Sequence, residues 1–234
     1  MYKTLGCVFV DPTYCRRFSK DLPEFANRKV GGRPILEWVA RRCTEAQRLD
    51  KVVVVVGGKE SNIETPISIP HGVEAVFSDK PDRLGRLRDV LSQHPSDSVV
   101  CLSVNTPLID PTLIDRLITS VENGIADYAC FCSRSNSPIH SKLGLVAEWC
   151  RRSAIEMADS LLTDLDRRNR FTNFIIGNPD RFSLKFVRIP AVLDRDDLSF
   201  QVESQEDWAQ VEQIIEALGD DRLDWQQIAR LLHH

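Results

Sequence analysis

The chain has 234 residues, with 30 Lys plus Arg against 34 Asp plus Glu and a formal net charge of -4. That length suits a single domain, residues 1–234, with a sizeable core. The mildly acidic balance argues against a dedicated nucleic-acid binder, and no apolar run approaches the roughly 18 residues of a membrane span.

Leu5–Val10 is apolar enough for a first strand and too brief for a signal peptide. Asp11–Lys29 follows as a polar loop with Arg16, Arg17, Lys20 and Arg28. Gly31, Gly32, Arg33 and Pro34 then lead into a helix striped with Ile35, Leu36, Val39, Ala40 and Cys43. Lys51–Gly57 carries five consecutive valines, the pattern of a strand buried on both faces of a parallel sheet. Residues 63–72 are punctuated by proline and irregular. Val73–Phe77 predicts a short edge strand, and Asp79–Arg86 leads into a helix bearing Leu84, Leu87, Val90 and Leu91.

Val99–Val104 is a β-branched-rich strand that runs through Asn105–Asp110 into an amphipathic helix. Asp110 is its N-cap and Pro111 its first residue. Ligands of open α/β sheets bind at the carboxyl ends of strands, and Asn105 sits at such an end. Asp127–Ser133 and Leu143–Trp149 predict strands, Ser153–Leu162 a helix, and Leu184–Ile189 and Leu198–Val202 the last strands. Ser204 and Asp207 spell a capping box for a helix striped with Trp208, Val211, Ile215 and Leu218. Asp224–Leu232 is a final helix.

Seven cysteines, an odd number without metal-ligand spacing, point to a reducing cytoplasm. Cys130 and Cys132 share one face of a strand, as small buried hydrophobes or as a redox or metal pair. Asp164 with Asp166, and Asp194 with Asp196, fit an Asp-x-Asp metal motif but lie in charged sequence away from strand ends. They read as solvated faces. His233 and His234 are either native or a tag remnant.

Residues 98–117 resemble the Gly-Asp-x-Pro-Leu-Ile-Asp-Pro segment of the sugar-activating cytidylyltransferases. The likeness is nearest to the spore-coat polysaccharide synthesis type, then to the acylneuraminate and manno-octulosonate types. Leu22-Pro23, Gly31-Gly32-Arg33-Pro34, Asp82 with Leu84 and Arg86, and Asn178-Pro179-Asp180-Arg181-Phe182 carry the resemblance almost end to end. It implies a three-layer α/β/α, nucleotide-diphospho-sugar transferase-like (Rossmann-like) fold with a mostly parallel mixed sheet. It also implies transfer of CMP from CTP to a sugar or sugar acid for surface polysaccharide, with Mg2+ as cofactor. Dimers are common in the family, which makes a homodimer through Leu143–Phe174 an expectation.

The resemblance assigns functional positions, and several are altered. The family's metal-binding Asp falls on Asn105, and its second metal ligand falls on Glu203. A Leu-Pro-Gly-Lys turn places its Gly on Glu24 and its Lys on Phe25, and the loop Arg on Asp21. Arg16, Arg17, Lys20 and Arg28 remain as phosphate contacts, or as a solvated basic loop. Asp82 and Arg86 match residues near the base and ribose, or serve as a cap and surface charge. A polar pair before the Asn-Pro fragment has become Asn169 and Arg170. Magnesium wants hard oxygen ligands, usually one or two carboxylates plus phosphate oxygens. An amide at 105 leaves one negative charge fewer, so the expected Mg2+ site is weak or lost. Two functions follow: a cytidylyltransferase-like enzyme, or an inactive homologue that binds a nucleotide, a sugar or a protein partner.

Overall fold

A computed structural model of the chain describes residues 2–11, 22–59, 66–139, 143–219 and 223–232. Its centre is a mixed sheet in the order β10-β7-β9-β6-β1-β4-β5. The strands are β1 (Tyr2–Val10), β4 (Lys51–Gly57), β5 (Glu74–Ser78), β6 (Ser96–Ser103), β7 (Tyr128–Cys132), β9 (Glu148–Arg151) and β10 (Leu184–Arg188). β8 (Pro138–Ile139) pairs with β7. β1 lies parallel to both β4 and β6, with Cys7 opposite Val53 on one side and Cys101 on the other. Strand β9 runs antiparallel between β6 and β7, so β7 keeps the direction of β6.

Helices cover both faces, which is why the central strands lack polar alternation. Val52, Val54 and Val56 enter one core with Val8 and Val10, and Val53 and Val55 enter the other with Leu5, Cys7 and Phe9. Burying each such side chain contributes about 1.5–3 kcal/mol. The first core is closed by α2 (Ile35–Glu45), α4 (Pro111–Thr119), α8 (Gln205–Leu218) and α9 (Trp225–Leu231). The second is closed by α3 (Arg83–Gln93), α5 (Arg152–Leu161) and α7 (Phe171–Ile176). The short helix α6 (Leu165–Asn169) links α5 to α7 and is capped by Asp164, so the Asp164–Asp166 pair belongs to a helix start.

Several caps act as the sequence predicts. The Asp110 side chain accepts from the main-chain N–H groups of Thr112 at 2.9 Å and Leu113 at 3.0 Å. Ser204 and Asp207 form the reciprocal box at the start of α8. The buried cysteines behave as small hydrophobes. Burial raises the Cys7 and Cys150 thiols well above their usual range and pushes Cys130 up to about 12.

Three expected segments differ. Within the expected loop 11–29, Leu22–Asn27 forms a helix (α1), and Lys29–Val30 (β2) pairs antiparallel with Arg33–Pro34 (β3) around Gly31 and Gly32. Both glycines have positive φ, 54° and 83°, as such a tight turn requires. Only the end of the expected strand 143–149 enters the sheet, as β9. Before it, Gly144 has φ 70°, and a Cβ there would stand 2.5 Å from the Phe200 carbonyl carbon. Residues 198–202, where a strand was expected, lie outside the sheet with the Phe200 backbone close against Gly144. Phe200 and Val202 are nevertheless fully buried, because this segment packs on the loop after β6.

Candidate functional site

The parallel strands β1, β4 and β6 finish at one edge of the sheet, and the loop after β6 is anchored there. The Val104 N–H donates to the Phe9 carbonyl at 3.0 Å, and the Thr106 hydroxyl donates to the Ser103 carbonyl at 2.7 Å. Asp110 fixes the far end of the loop. Its second carboxylate oxygen accepts from the Trp225 N–H at 2.9 Å and lies 3.8 Å from the Arg42 guanidinium. Arg42 also donates to the Ile109 and Leu223 carbonyls, and burial holds its pKa below the usual arginine value.

Asn105 is 1% exposed. Its carbonyl accepts from the Val202 N–H at 2.8 Å, and its Nδ2 donates to the Val202 carbonyl at 3.4 Å. Its Oδ1 is buried without a hydrogen-bond partner. The structure thus sets Asn105 against the residue preceding Glu203. The N–H of Glu203 donates to Asp207 at 2.9 Å, tying the segment to the start of α8. Arg28 comes to the same end of α8. Its guanidinium carbon stands 4.0 Å from the Trp208 ring centroid, and it donates to Gln205 at 2.8 Å. Arg16, Arg17 and Lys20 lie outside the described residues.

Asp82 and Arg86 are 4% and 6% exposed, and their polar groups are used within the fold. Asp82 caps α3 by accepting from the Gly85 N–H at 2.7 Å and pairs with Arg168 at 3.0 Å. Arg86 pairs with Asp11 at 2.9 Å and donates to the Lys80 carbonyl at 3.0 Å and the Pro81 carbonyl at 3.2 Å. The cap accounts for Asp82, and an internal ion pair replaces the surface charge expected of Arg86. Phe25, aligned with a family lysine, is a core residue at 1% exposure, with its ring edge-on to Trp208 at 6.3 Å and 78°. A cation there would be buried in hydrocarbon, so position 25 is not a depleted phosphate contact. Asn169, at another altered position, accepts from the Arg83 N–H at 2.9 Å and helps cap α3.

Sequence reasoning missed Arg83 and Glu148. Arg83 is the first residue of α3, and helical side chains lean back toward the N-terminus. Its guanidinium carbon therefore reaches 4.3 Å from the Phe9 ring centroid, with Nη2 3.5 Å from the Leu102 carbonyl. Arg83, Ser103, Thr106 and Glu148 line a small space of about 20 Å³. The Glu148 carboxylate accepts from the Tyr128 hydroxyl at 2.5 Å. Burial, reinforced by that carboxylate, raises the Tyr128 phenol well above its usual pKa. The signal in the sequence was the cap itself: once Asp82 is the N-cap, Arg83 must start the helix at the strand edge. A larger cleft of about 450 Å³ opens at the opposite, amino-terminal edge, between Lys3, Asp50, Asp97 and Arg151. Strand polarity favours the Asn105 edge as the ligand site.

The neutral amide at 105 offers a magnesium ion one anionic oxygen fewer than a carboxylate would. The orphaned Oδ1 of Asn105 is an oxygen in a suitable place, but it is neutral, and the same amide is turned to the Val202 carbonyl. Among the described residues, no group of three or more His, Cys, Asp or Glu is placed to hold a metal ion. Nor is any helix among them long and apolar enough to cross a membrane.

Comparison with known proteins places these features. The model of the MobA-like NTP transferase domain matches residues 19–172, more than half of the chain. A cytidylyltransferase from Leptospira borgpetersenii serovar Hardjo-bovis superposes with TM-score 0.78 at 19% identity, covering 99% of this chain and 93% of that one. The CMP:2-keto-3-deoxy-manno-octonic acid synthetase, solved in complex with CTP, superposes with TM-score 0.63 at 13% identity, covering 92% and 99%. A Mycobacterium tuberculosis protein solved in complex with manganese superposes with TM-score 0.61 at 13% identity, covering 91% and 98%. At these identities the likeness is one of fold: a nucleotide-diphospho-sugar transferase-like α/β architecture on a mostly parallel mixed sheet.

Proposed function

We propose, taking as premise that this chain belongs to the MobA-like NTP transferase family, that it binds CTP at the carboxyl edge of its sheet. Transfer of CMP to a sugar or sugar acid is the reaction this site descends from, and here it is slow or lost. In that reaction an acceptor oxygen forms a bond to the α-phosphorus of CTP while the bond to the bridging oxygen breaks and pyrophosphate leaves. Catalysis consists mainly of positioning and charge neutralisation. Asn105 and Glu203 stand for the reacting centre, and Arg28, with Arg16, Arg17 and Lys20, for the phosphate contacts. The observation that carries the reading is the buried Asn105 Oδ1, left without a partner beside the segment that ends in Glu203.

The neutral side chain at 105 also favours the second reading, a homologue that binds a nucleotide, a sugar or a protein partner without turnover. A role in surface polysaccharide synthesis and a homodimer through Leu143–Phe174 belong to the same proposal. The relatives solved with CTP and with manganese support a nucleotide ligand and the usefulness of a divalent ion in this fold. The test is calorimetric titration with CTP, together with pyrophosphate release in the presence of a sugar acid, for wild type and Asn105→Asp. Wild type should bind CTP and release little pyrophosphate. Asn105→Asp should gain about 1–3 kcal/mol in magnesium affinity, the scale of a charge-assisted contact. Robust wild-type turnover would refute the impaired site, and unchanged metal affinity in the variant would remove position 105 from it.

A further inference from the structure

The amino-terminal edge of the sheet carries a polar row on a face that is apolar elsewhere. Ser98 on β6 stands in register with Thr4 on β1 and with Arg151 on β9, so the three lie side by side across adjacent strands. The Thr4 and Ser98 hydroxyls are buried and 3.0 Å apart, and Ser98 donates to the Lys3 carbonyl at 2.9 Å. The Ser98 proton is thereby committed, so Thr4 donates to Ser98, and both oxygens keep acceptor capacity. Arg151 donates to the Ala126 carbonyl at 2.8 Å and to the Gly124 carbonyl at 3.0 Å, two of its five N–H groups. Two residues back along β9, on the same face, is Trp149. It is 5% exposed, with the Arg151 guanidinium carbon 5.7 Å from its ring centroid, and its indole N–H has no hydrogen-bond partner among the described residues. Buried donors are nearly always satisfied, so this one points to a partner that the chain itself does not supply.

These four residues line the cleft of about 450 Å³. Ile118 and Val121, at the end of α4, give it an apolar wall, and the exposed Gln47 and Asn123 bring amides to its rim. Its formal charges cancel. Arg48 pairs with Glu122, and Arg151 is matched by Asp50, whose carboxylate accepts from the Lys3 and Thr4 N–H groups, each at 2.8 Å. Lys3 and Asp97 add one charge of each sign. A cleft of this size falls in the range that holds small molecules. Its neutrality disfavours an ion, and its interleaved donors and acceptors require groups that do both. Hydroxyl groups do so, and a pyranose ring adds C–H faces for the apolar wall.

We propose that this cleft is a second binding site, for a neutral sugar of one or two rings, with Trp149, Arg151 and Asn123 as donors and Thr4 and Ser98 as acceptors. It lies at the opposite end of the strands from Asn105 and stands whether or not the carboxyl edge binds a nucleotide. The test is titration of the full chain with D-glucose, D-mannose and maltose, and with D-glucuronate as an anionic comparator, read by ligand-observed NMR. It is run on wild type, Trp149→Phe and Asn123→Ala. Phenylalanine keeps a ring beside the Arg151 guanidinium and removes the unpartnered N–H, and thermal melts establish that each variant is folded. Asn123 is exposed, so its variant decides the matter should Trp149→Phe fold poorly. Wild type should bind at least one neutral sugar, more tightly than glucuronate. Each variant should bind that sugar about fivefold more weakly, the loss of one hydrogen bond. Absence of wild-type binding to all three neutral sugars overturns the proposal. So does tighter binding of glucuronate, or folded variants that both bind like wild type.

Discussion

Replacing Asn105 with aspartate exchanges one nitrogen for one oxygen at a position 1% exposed, and its effect on stability can be worked out from the surroundings. The Nδ2 that donates to the Val202 carbonyl becomes an oxygen facing an oxygen, and the neighbouring Oδ1 already lacks a partner. The ionised side chain is therefore unfavourable in the folded state, and the variant folds with the carboxyl protonated, its O–H donating to Val202. Its folded pKa lies above the unfolded value near ~3.9. A raised folded pKa means that stability is complete below the unfolded pKa and is lost as pH rises toward the folded one. Holding an aspartate protonated at pH 7 costs at most about 4 kcal/mol, three units at ~1.36 kcal/mol each. A folded pKa raised by only one unit sets the lower end, at ~1.4 kcal/mol. Urea unfolding in EDTA should therefore show Asn105→Asp destabilised by about 1–4 kcal/mol at pH 7 and approaching wild type near pH 4. Mg2+ or Mn2+ should restore part of the difference at pH 7, because a cation can sit between the two oxygens. A variant as stable as wild type at pH 7 in EDTA, with no pH dependence of the difference, would refute the account of Asn105 as a buried donor to Val202.

Phe25→Lys, the change that the family alignment suggests as a repair, should instead destabilise the fold by about 3–5 kcal/mol, as loss of a buried aromatic does. Tryptophan fluorescence in denaturant checks this through Trp208, and stability near wild type would place position 25 at the surface. Asp110→Ala removes the cap of α4, the acceptor for the Trp225 N–H and the partner of buried Arg42. A loss of about 3–5 kcal/mol is expected from the uncompensated buried charge. Limited proteolysis should then cut first near α9, and an unchanged melting temperature would count against the anchoring role.

Much of the fold was legible because its signals are local. Five valines in β4, the Asp110-Pro111 start of α4 and the Ser204–Asp207 box each declare an element within a few residues. The misses have physical causes. Residues 198–202 alternate apolar and polar side chains as a strand does, yet Phe200 and Val202 are buried against a loop that Gly144 brings close, which no local pattern encodes. Helix α1 spans six residues, too few for a helical period to stand out. Arg83 was legible only as a helix start after the Asp82 cap, because its contacts with Phe9 and Leu102 are made through the sheet.

The same distinction explains the site. Acidic residues around the strand ends are mostly committed to arginines: Asp11 to Arg86, Asp82 to Arg168 and Asp110 to Arg42. Buried pairs of this kind add little net stability, but losing one partner is costly, so each pair fixes its geometry firmly. Asp82 and Arg86 are thus spent on setting α3, and that setting brings Arg83 to the end of β6. A family motif read residue by residue assigns ligands to positions that this chain uses as braces. What the motif does locate is the edge itself, because Asn105 falls where strand polarity and the loop after β6 put it. Among the described residues, the polar atoms at that edge without hydrogen-bond partners include the Asn105 Oδ1 and the Ser103 hydroxyl. An amide oxygen accepts and cannot donate, so the Asn105 Oδ1 suits a hydrogen-bond donor or a cation and not a phosphate oxygen.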